Sequence, residues 1–446
     1  MTHADRHVQP RTVEPQSRRR TILGVGAGNA LEWYDWNIYA TFTAFFASQF
    51  FDSGSAGSDV LKTLAVFAVG FIARPFGGFL FGWLADRRGR QVSMTLSVGV
   101  AAVGSLVIGL TPTQATIGVL APIILVVARL AQGLAHGGEL PAAQTYISEM
   151  APAERRGLWS SLIYFSGTVG VLSGTLLGAV LAGALSSEQM TAFGWRIPFV
   201  IGGLAGFYAL YMRSRMAETE AFAAAKPDPA AGPVPSMWSQ IVAHPVLLMR
   251  VIGMTVGATV IYYVWAVAAP AYAISSRGID PAGALWAGVA ANLVFLAALP
   301  LWGMISDRVG RRPVLIGNTA ALAVLLFPLN AIIEREPWQL FVAMSIALFL
   351  IAGFASIAPA VYAEMFPTSI RAAGLGVPYS IAVALFGGTA PYLQTYFAEI
   401  GTPSAFTWYA IGLAVVSVVT VALMPETRGN DLRTVTGRAT SRTPVG

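Results

Sequence analysis

The sequence predicts an all-α membrane protein: twelve transmembrane helices forming two pseudo-symmetric six-helix bundles. Three observations carry that expectation. Hydrophobic residues make up 55% of the 446 and charged residues only 11%, a balance that excludes an ordinary soluble domain. Apolar runs long enough to cross a bilayer recur twelve times. Two loop motifs each occur twice, in the same order.

A hydrocarbon core of about 30 Å needs about 20 apolar residues per helix. By that measure the first six spans cover 21–49, 61–85, 92–111, 118–148, 157–185 and 194–213. The second six cover 248–275, 282–306, 313–333, 338–364, 371–398 and 404–424. The bundles are therefore expected at 21–213 and 248–424, with a basic cytoplasmic tail at 1–20 and a second tail at 425–446. The first apolar run follows Arg18-Arg19-Arg20; it is too long for a signal-peptide core and has no clean cleavage site. Residues 214–247, with Lys226-Pro227-Asp228-Pro229, Pro233 and Pro235, read as a cytoplasmic linker.

Charge gives the orientation. With both termini and the even-numbered loops in the cytoplasm, 22 of the 28 Lys and Arg fall inside. Lys62, Arg196, Arg277 and Arg335 fall outside, and Arg74 and Arg129 lie within spans. This is the positive-inside pattern of a multi-pass plasma-membrane protein, here a bacterial inner membrane. It explains the net charge of +6 without nucleic acid as a partner. The absence of cysteine excludes disulfides, thiolate metal sites and cysteine nucleophiles.

The repeats define the halves. Gly82-Trp83-Leu84-Ala85-Asp86-Arg87-Arg88-Gly89-Arg90 recurs 221 residues later as Gly303-Met304-Ile305-Ser306-Asp307-Arg308-Val309-Gly310-Arg311. Glu149-Met150-Ala151-Pro152 with Arg156 recurs 215 residues later as Glu364-Met365-Phe366-Pro367 with Arg371. The halves are thus parallel duplicates about an axis along the membrane normal. Asp86, Arg87, Arg90, Asp307, Arg308 and Arg311 read as conformational latches that pair with helix ends in one state and release in the other, or else as solvated turns.

At these residues the chain resembles the major facilitator superfamily, through the G-x-x-x-D-R-x-G-R loop, its second copy and Arg129-x-x-Gln132-Gly133. Within it the chain is similar to the metabolite:proton symporter family. The passages are Gly28-Asn29-Ala30-Leu31-Glu32-Trp33-Tyr34-Asp35, Phe71-Ile72-Ala73-Arg74-Pro75-Phe76-Gly77-Gly78, Gly137-Gly138-Glu139, Gly194-Trp195-Arg196-Ile197-Pro198-Phe199 and Gly387-Gly388-Thr389-Ala390-Pro391. The resemblance spans Ser17 to Gly429 and departs from the family pattern at Trp36-Asn37, His136 and Leu140-Pro141. It implies import of organic acids such as α-ketoglutarate, citrate and shikimate, or of osmolytes such as proline and betaine. The first half is most similar to the family's α-ketoglutarate carriers.

An ionisable residue in hydrocarbon costs a few kcal/mol or more, so each such residue needs a reason. Glu32, Asp35, Arg74, Arg129, His136 and Glu139 lie within spans, all in the first half. Proton coupling needs a carboxylate whose protonation responds to its surroundings. Asp35 and Glu139 are the leading candidates, Glu32 the third; the alternative for each is a fixed salt bridge. His136 shares a helix face with Gln132 and Glu139 and reads as a proton relay or a packing histidine; a metal site is weakly indicated.

An anionic substrate needs a permanent positive charge, which arginine supplies with bidentate geometry. Arg74 is the first choice, with internal pairing to Asp35 or Glu32 as its alternative. Asp35 and Arg74 are expected at one depth in neighbouring spans. Arg129 and Gln132 join the candidate substrate residues, although their motif fits helix organisation or coupling better. The second half is expected to shape the pocket with Tyr263, Asn292 and Tyr379, and with Tyr262, Trp265, Tyr392 and Gln394. Gly170, Gly174 and Gly178 form a smooth face for close helix contact, and Pro75, Pro141, Pro270, Pro378 and Pro391 mark possible kinks.

The expected function is import of a small di- or monocarboxylate by proton symport and alternating access. The proton gradient is the driver, no cofactor is needed, and the chain works as a monomer in the bilayer. An osmolyte symporter is the nearest rival; the stretch after Pro425-Glu426-Thr427-Arg428-Gly429 has no heptads, which weighs against it. A proton-exchanging efflux carrier shares the same fold. An enzyme would need a nucleophile–base pair or a full metal site, and neither is evident.

Overall fold

Twelve helices cross the molecule close to where the apolar runs predict them. The computed structural model describes residues 18–88, 90–137, 139–214, 244–367 and 371–432. Most of the expected linker and both tails lie outside the described residues, as do the side chains of Asp86, Arg87, Arg90 and Glu139. The first-half helices are α1 (Arg18–Phe50), α2 (Ala56–Arg88), α3 (Arg90–Leu110), α4 (Leu120–Ala135, resumed as Glu139–Met150), α5 (Arg156–Ala184) and α6 (Arg196–Ser214). The second-half helices are α7 (Pro245–Arg277), α8 (Pro281–Val309), α9 (Arg311–Ile332), α10 (Pro337–Met365), α11 (Arg371–Glu399) and α12 (Pro403–Leu423).

Eight of these are by themselves long and apolar enough to cross a membrane. The other four fall short for local reasons. α1 carries Glu32 and Asp35. The apolar part of α3 begins only at Thr95. α4 is interrupted at His136 and Gly137. α11 passes through a π turn at Val383–Gly387, and α7 has one at Tyr263–Ala268. Both π turns lie just before a proline, Pro391 or Pro270. Proline lacks an N–H and crowds the carbonyl four residues back, and a wider turn relieves both. Pro75 and Pro378, by contrast, lie inside continuous helix.

α1, α2, α4 and α5 face α7, α8, α10 and α11 across a seam, and the most extensive contact there is α5 on α8. α7 is buried almost throughout, whereas α6, α9 and α12 are buried over about a third of their length or less. Their exposed Leu204, Val324, Val415 and Val419 belong in lipid. Close backbone contact sets the depth of the seam helices. A Cβ at Gly133 of α4 would collide with the Gly70 carbonyl of α2, and one at Gly170 of α5 with the Ala30 carbonyl of α1. The latter confirms the smooth glycine face on α5.

The end of the seam that carries the repeated loop motifs is closed by charge. Glu364 of α10, fully buried, accepts from Arg156 at 2.9 Å, across the halves. Its duplicate, Glu149, accepts from Arg371 at 2.6 Å in the reverse sense. Asp307 accepts from the Gly157 and Leu158 amides at 2.8 and 2.9 Å, satisfying first-turn N–H groups of α5 from the opposite half. Arg311 holds Asp307 at 2.7 Å and Glu364 at 3.3 Å. Of the expected latch residues, Asp307 and Arg311 thus bind the seam. Arg308 offers only its carbonyl, to Arg428 at 2.6 Å, and its side chain is exposed.

A strap after α12 seals this face. Glu426 accepts from the Arg311 and Arg312 amides at 2.8 and 3.0 Å. Gly310, at φ 108°, leaves room for the Glu426 carboxylate that a Cβ would crowd. Partial burial pushes the Glu426 pKa up, but four backbone amides outweigh it and hold it below the usual carboxylate value. A depressed carboxylate stabilises the fold above its unfolded pKa and loses that effect as pH falls through its folded value. The strap is therefore fully anchored at neutral pH. Beyond it, the Thr427 hydroxyl donates to Glu364 at 2.7 Å, and the Asn430 and Leu432 carbonyls accept from Arg156 and Arg371 at 3.1 and 2.8 Å.

Removing one partner of a buried pair leaves an uncompensated charge and costs about 3–5 kcal/mol. Glu364→Gln is therefore expected to favour a form open at this end. With no native cysteine, Ala355→Cys can report this in the detergent-purified protein. Its alkylation by a maleimide should accelerate at least about tenfold in the Glu364→Gln background; an unchanged rate would show that the pair does not hold the seam shut.

Candidate functional site

Glu32 and Asp35 lie three residues apart on α1, which offsets their directions by about 60°. That offset sends them to different partners. Glu32 faces α2, where Arg74 Nη2 lies 3.2 Å from its carboxylate. Asp35 faces α3 and α4. Its Oδ2 accepts from Gln132 Nε2 at 2.7 Å, and its Oδ1 accepts from the Ser105 hydroxyl. Gln132 accepts in turn from Arg129 at 2.9 Å. Arg129 and His136 approach Asp35 at 3.9 and 3.8 Å. Of the two internal partners expected for Arg74, Glu32 and not Asp35 is the one it meets.

Both clusters are buried. Arg129 and Gln132 have no exposure at all, and Asp35, Glu32 and Arg74 are each below a tenth. The Arg129 guanidinium rests 4.2 Å from the ring centres of Trp36 and Tyr39. Arg74 rests 4.2 Å from Trp36 and 4.5 Å from Phe71. Such contacts offset part of the desolvation of a buried cation. The two kinds of site differ. Asp35 is held from α3 and α4 inside the first bundle, whereas Arg74 reaches the seam, because Phe71 packs on Tyr263 of α7 at 5.0 Å.

Across that seam lies a narrow void, lined by Trp33 and Tyr164 from the first half and by Thr255, Tyr262, Tyr263 and Tyr379 among others from the second. Trp33 meets Tyr262 edge-on at 5.4 Å and stacks on Tyr263 at 6.1 Å. The Tyr164 and Tyr379 hydroxyls lie 3.3 Å apart across the halves. A second narrow void, lined by Thr43, Tyr272 and Gln394 among others, lies further along the seam. The charge-closed face below and the contacts of α1 with α7 and of α2 with α11 enclose the centre.

Several expected substrate residues are elsewhere. Arg129 and Gln132 bond to one another and to Asp35, and neither lines a void. Asn292 donates back to the Gly288 carbonyl of its own helix at 2.9 Å and does not line the central void. Tyr263 and Tyr379 do line it. Ser105, Trp33, Tyr164 and Thr255 were not singled out from sequence. Ser105 carried one signal, a lone hydroxyl in the apolar run Val103-Gly104-Ser105-Leu106. Gln144 carried another: it is a carboxamide within a span, fully buried, with neither side-chain polar atom bonded.

Duplicated halves, a seam closed by charge at one end and an aromatic centre describe a carrier, and the sequence comparisons agree. A family model described as Major Facilitator Superfamily matches residues 25–294 and 254–445. The chain belongs to the Major Facilitator Superfamily. It is 35% identical over 421 residues to the alpha-ketoglutarate permease of Escherichia coli, covering 94% of this chain and 96% of that one. It is 30% identical over 431 residues to the proline/betaine transporter of Salmonella typhimurium, covering 94% and 86%. In fold it is similar to the xylose transporter XylE of E. coli, partially occluded and inward open, with TM-score 0.66 and 18% identity over 92% of this chain and 98% of that one. This member of the superfamily is a multi-pass membrane transporter and not an enzyme.

Arg129→Leu leaves the Asp35 carboxylate short of its compensating charge and is expected to cost about 3–5 kcal/mol. The melting temperature of the detergent-purified protein should fall by about 3–5 °C. Asp35→Asn in the same chain should restore part of that loss, because the orphaned charge is gone. Strictly additive losses would show that the two residues do not interact.

Proposed function

We propose that this carrier imports a small organic acid, a di- or monocarboxylate resembling α-ketoglutarate, together with one or more protons. One observation carries the reading: Arg74 is a buried, permanent cation beside Tyr263, a residue that lines the aromatic void between the halves, and its carboxylate partner Glu32 lies at 3.2 Å. A guanidinium has five donors in a planar fork, and pairing with one carboxylate leaves capacity for a second. Glu32 then acts as the internal anion that balances Arg74 when no substrate is present. Substrate carboxylate takes over that balance, and the rings of Trp33, Tyr263 and Tyr379 pack its carbon skeleton.

The proton belongs to the Asp35 cluster, with His136 as its neighbour. Asp35 bears charge against Arg129 in one state and becomes neutral in another, and the halves rock about the central site between them. Glu139, on the same α4, is the second proton-site candidate. The driver is the proton gradient across a bacterial inner membrane, with both termini cytoplasmic.

A second reading has its own support. Trp33 is surrounded by Tyr164, Tyr262 and Tyr263 at 5.4–6.2 Å. Clustered aromatic faces hold quaternary ammonium groups through cation–π contacts. With Glu32 nearby, this arrangement suits a zwitterion such as betaine, the cargo named for one of the relatives.

Uptake into proteoliposomes separates these readings. Carboxylate accumulation is expected to depend on an inwardly directed proton gradient. Uptake of betaine or proline with no carboxylate would overturn the substrate class, and carboxylate uptake indifferent to the gradient would overturn symport. Arg74→Gln should raise the apparent KM for the carboxylate by about 30- to 100-fold, the loss of a charge-assisted contact. An unchanged KM would remove Arg74 from the substrate site.

A further inference from the structure

We propose that Trp36 is the positioning residue through which the proton site and the substrate site communicate. The inference rests on the reading above, that Asp35 takes the proton and Arg74 the substrate.

The geometry is specific. Trp36 follows Asp35 in sequence and is almost wholly buried. The guanidinium carbons of Arg74 and Arg129 both lie 4.2 Å from its ring centre. Arg74 belongs to the proposed substrate site and Arg129 to the Asp35 cluster, so one indole bears on both. His136 meets the same ring edge-on at 6.1 Å, and Phe71 lies against it at 4.2 Å. α2 is pressed onto the indole: a Cβ at Gly70 would come within 3.0 Å of Trp36 Cη2. The indole Nε1 has no hydrogen-bond partner. Ring contacts alone therefore place this side chain, and two of those contacts are cations.

A shared π face makes the two cations interdependent. With Asp35 ionised, Arg129 has a carboxylate to balance it. Protonation of Asp35 removes that balance, so Arg129 draws more on the indole and the net positive charge around Trp36 rises by one. Arg74 then has a weaker claim on the ring and a stronger demand for an anion. Proton uptake thereby favours carboxylate binding, the sign that symport needs, and by reciprocity bound carboxylate favours proton uptake.

Other groups near Asp35 set the background. α1 contributes Glu32, Tyr34 and Tyr39, and α3 contributes Ser105. α4 contributes Gln132, Arg129 and His136, and α6 approaches through the Pro198 carbonyl, which accepts from Tyr34 at 2.9 Å. Tyr164 of α5, Tyr263 of α7 and Tyr379 of α11 stand on the void side. None of these bears on both arginines as Trp36 does.

The test compares Trp36→Met, which fills much of the volume without a π face, with Trp36→Phe, which keeps a ring. The probe is radiolabelled α-ketoglutarate in counterflow exchange, with no imposed gradient, from about pH 5.5 to about pH 8. Wild-type apparent KM is expected to rise about tenfold across that range, the size of a modest coupling. Trp36→Met should flatten the rise to less than about twofold while exchange persists, and Trp36→Phe should keep most of it. A Trp36→Met protein whose KM shifts equally at every pH would show a packing role only and overturn the inference by itself. The inference is equally overturned if Trp36→Met fails to give monodisperse protein and Trp36→Phe flattens the profile as fully as losing the ring should. A flat wild-type profile, or no exchange by the wild type, overturns the underlying proton or substrate reading and this inference with it.

Discussion

A charge in hydrocarbon must be answered by another charge or by a set of dipoles, and that constraint organises this molecule. Each intramembrane cation described has its answer. Arg74 has Glu32, and Arg129 has Gln132 and Asp35. Both also lie against Trp36, because two planar cations are partly stabilised by an aromatic face when water is absent. A chain that only needed to sit in lipid would avoid this cost. Here the cost is borne in the first bundle, where polar partners from α1, α2, α3 and α4 converge. The second bundle faces them with rings and hydroxyls that carry no charge at mid-depth.

The same constraint acts differently at the end of the seam that carries the repeated loops. There the charges pair across the halves instead of within one. Duplication made that possible. Each half carries the same glutamate and the same arginine at matching positions, so a parallel pseudo-twofold axis brings each glutamate to the other half's arginine. Glu364–Arg156 and Glu149–Arg371 are one interaction made twice. They are not equivalent, because Glu364 is fully buried and also holds Arg311 and Thr427, whereas Glu149 is exposed. Sealing is therefore stronger on one side of the axis.

Much of this was legible in the residues. Apolar runs marked the twelve helices because hydrocarbon admits few alternatives. The loop repeats marked the halves, and the cost of buried charge marked α1, α2 and α4 as the centre of interest. Partner choice was less legible. Asp35 and Glu32 stood equally as internal partners for Arg74, and a difference in direction of about 60° on α1 gives it to Glu32. Such an angle decides the pairing only once neighbouring helices have a rotation and a depth, and backbone contacts such as Gly133 on Gly70 set those. Residues 118–148 read as one span, because glycine is common in membrane helices and the apolar pattern runs on. The break at His136 and Gly137 depends on packing against α2. Glu149, Arg156, Glu364 and Arg371 were visible as repeats, but their reciprocal pairing needed the axis.

The strap that follows α12 bears on how the protein is made. Translation delivers the helices in order, so both bundles can be in the membrane before Glu426, Thr427 and Asn430 leave the ribosome. Until then the α9 amides, the Glu364 carboxylate and the Arg156 guanidinium each lack one partner. A newly inserted chain is thus least sealed at the charge-closed end at the moment α12 is complete. The final lock is a short segment that never enters the bilayer.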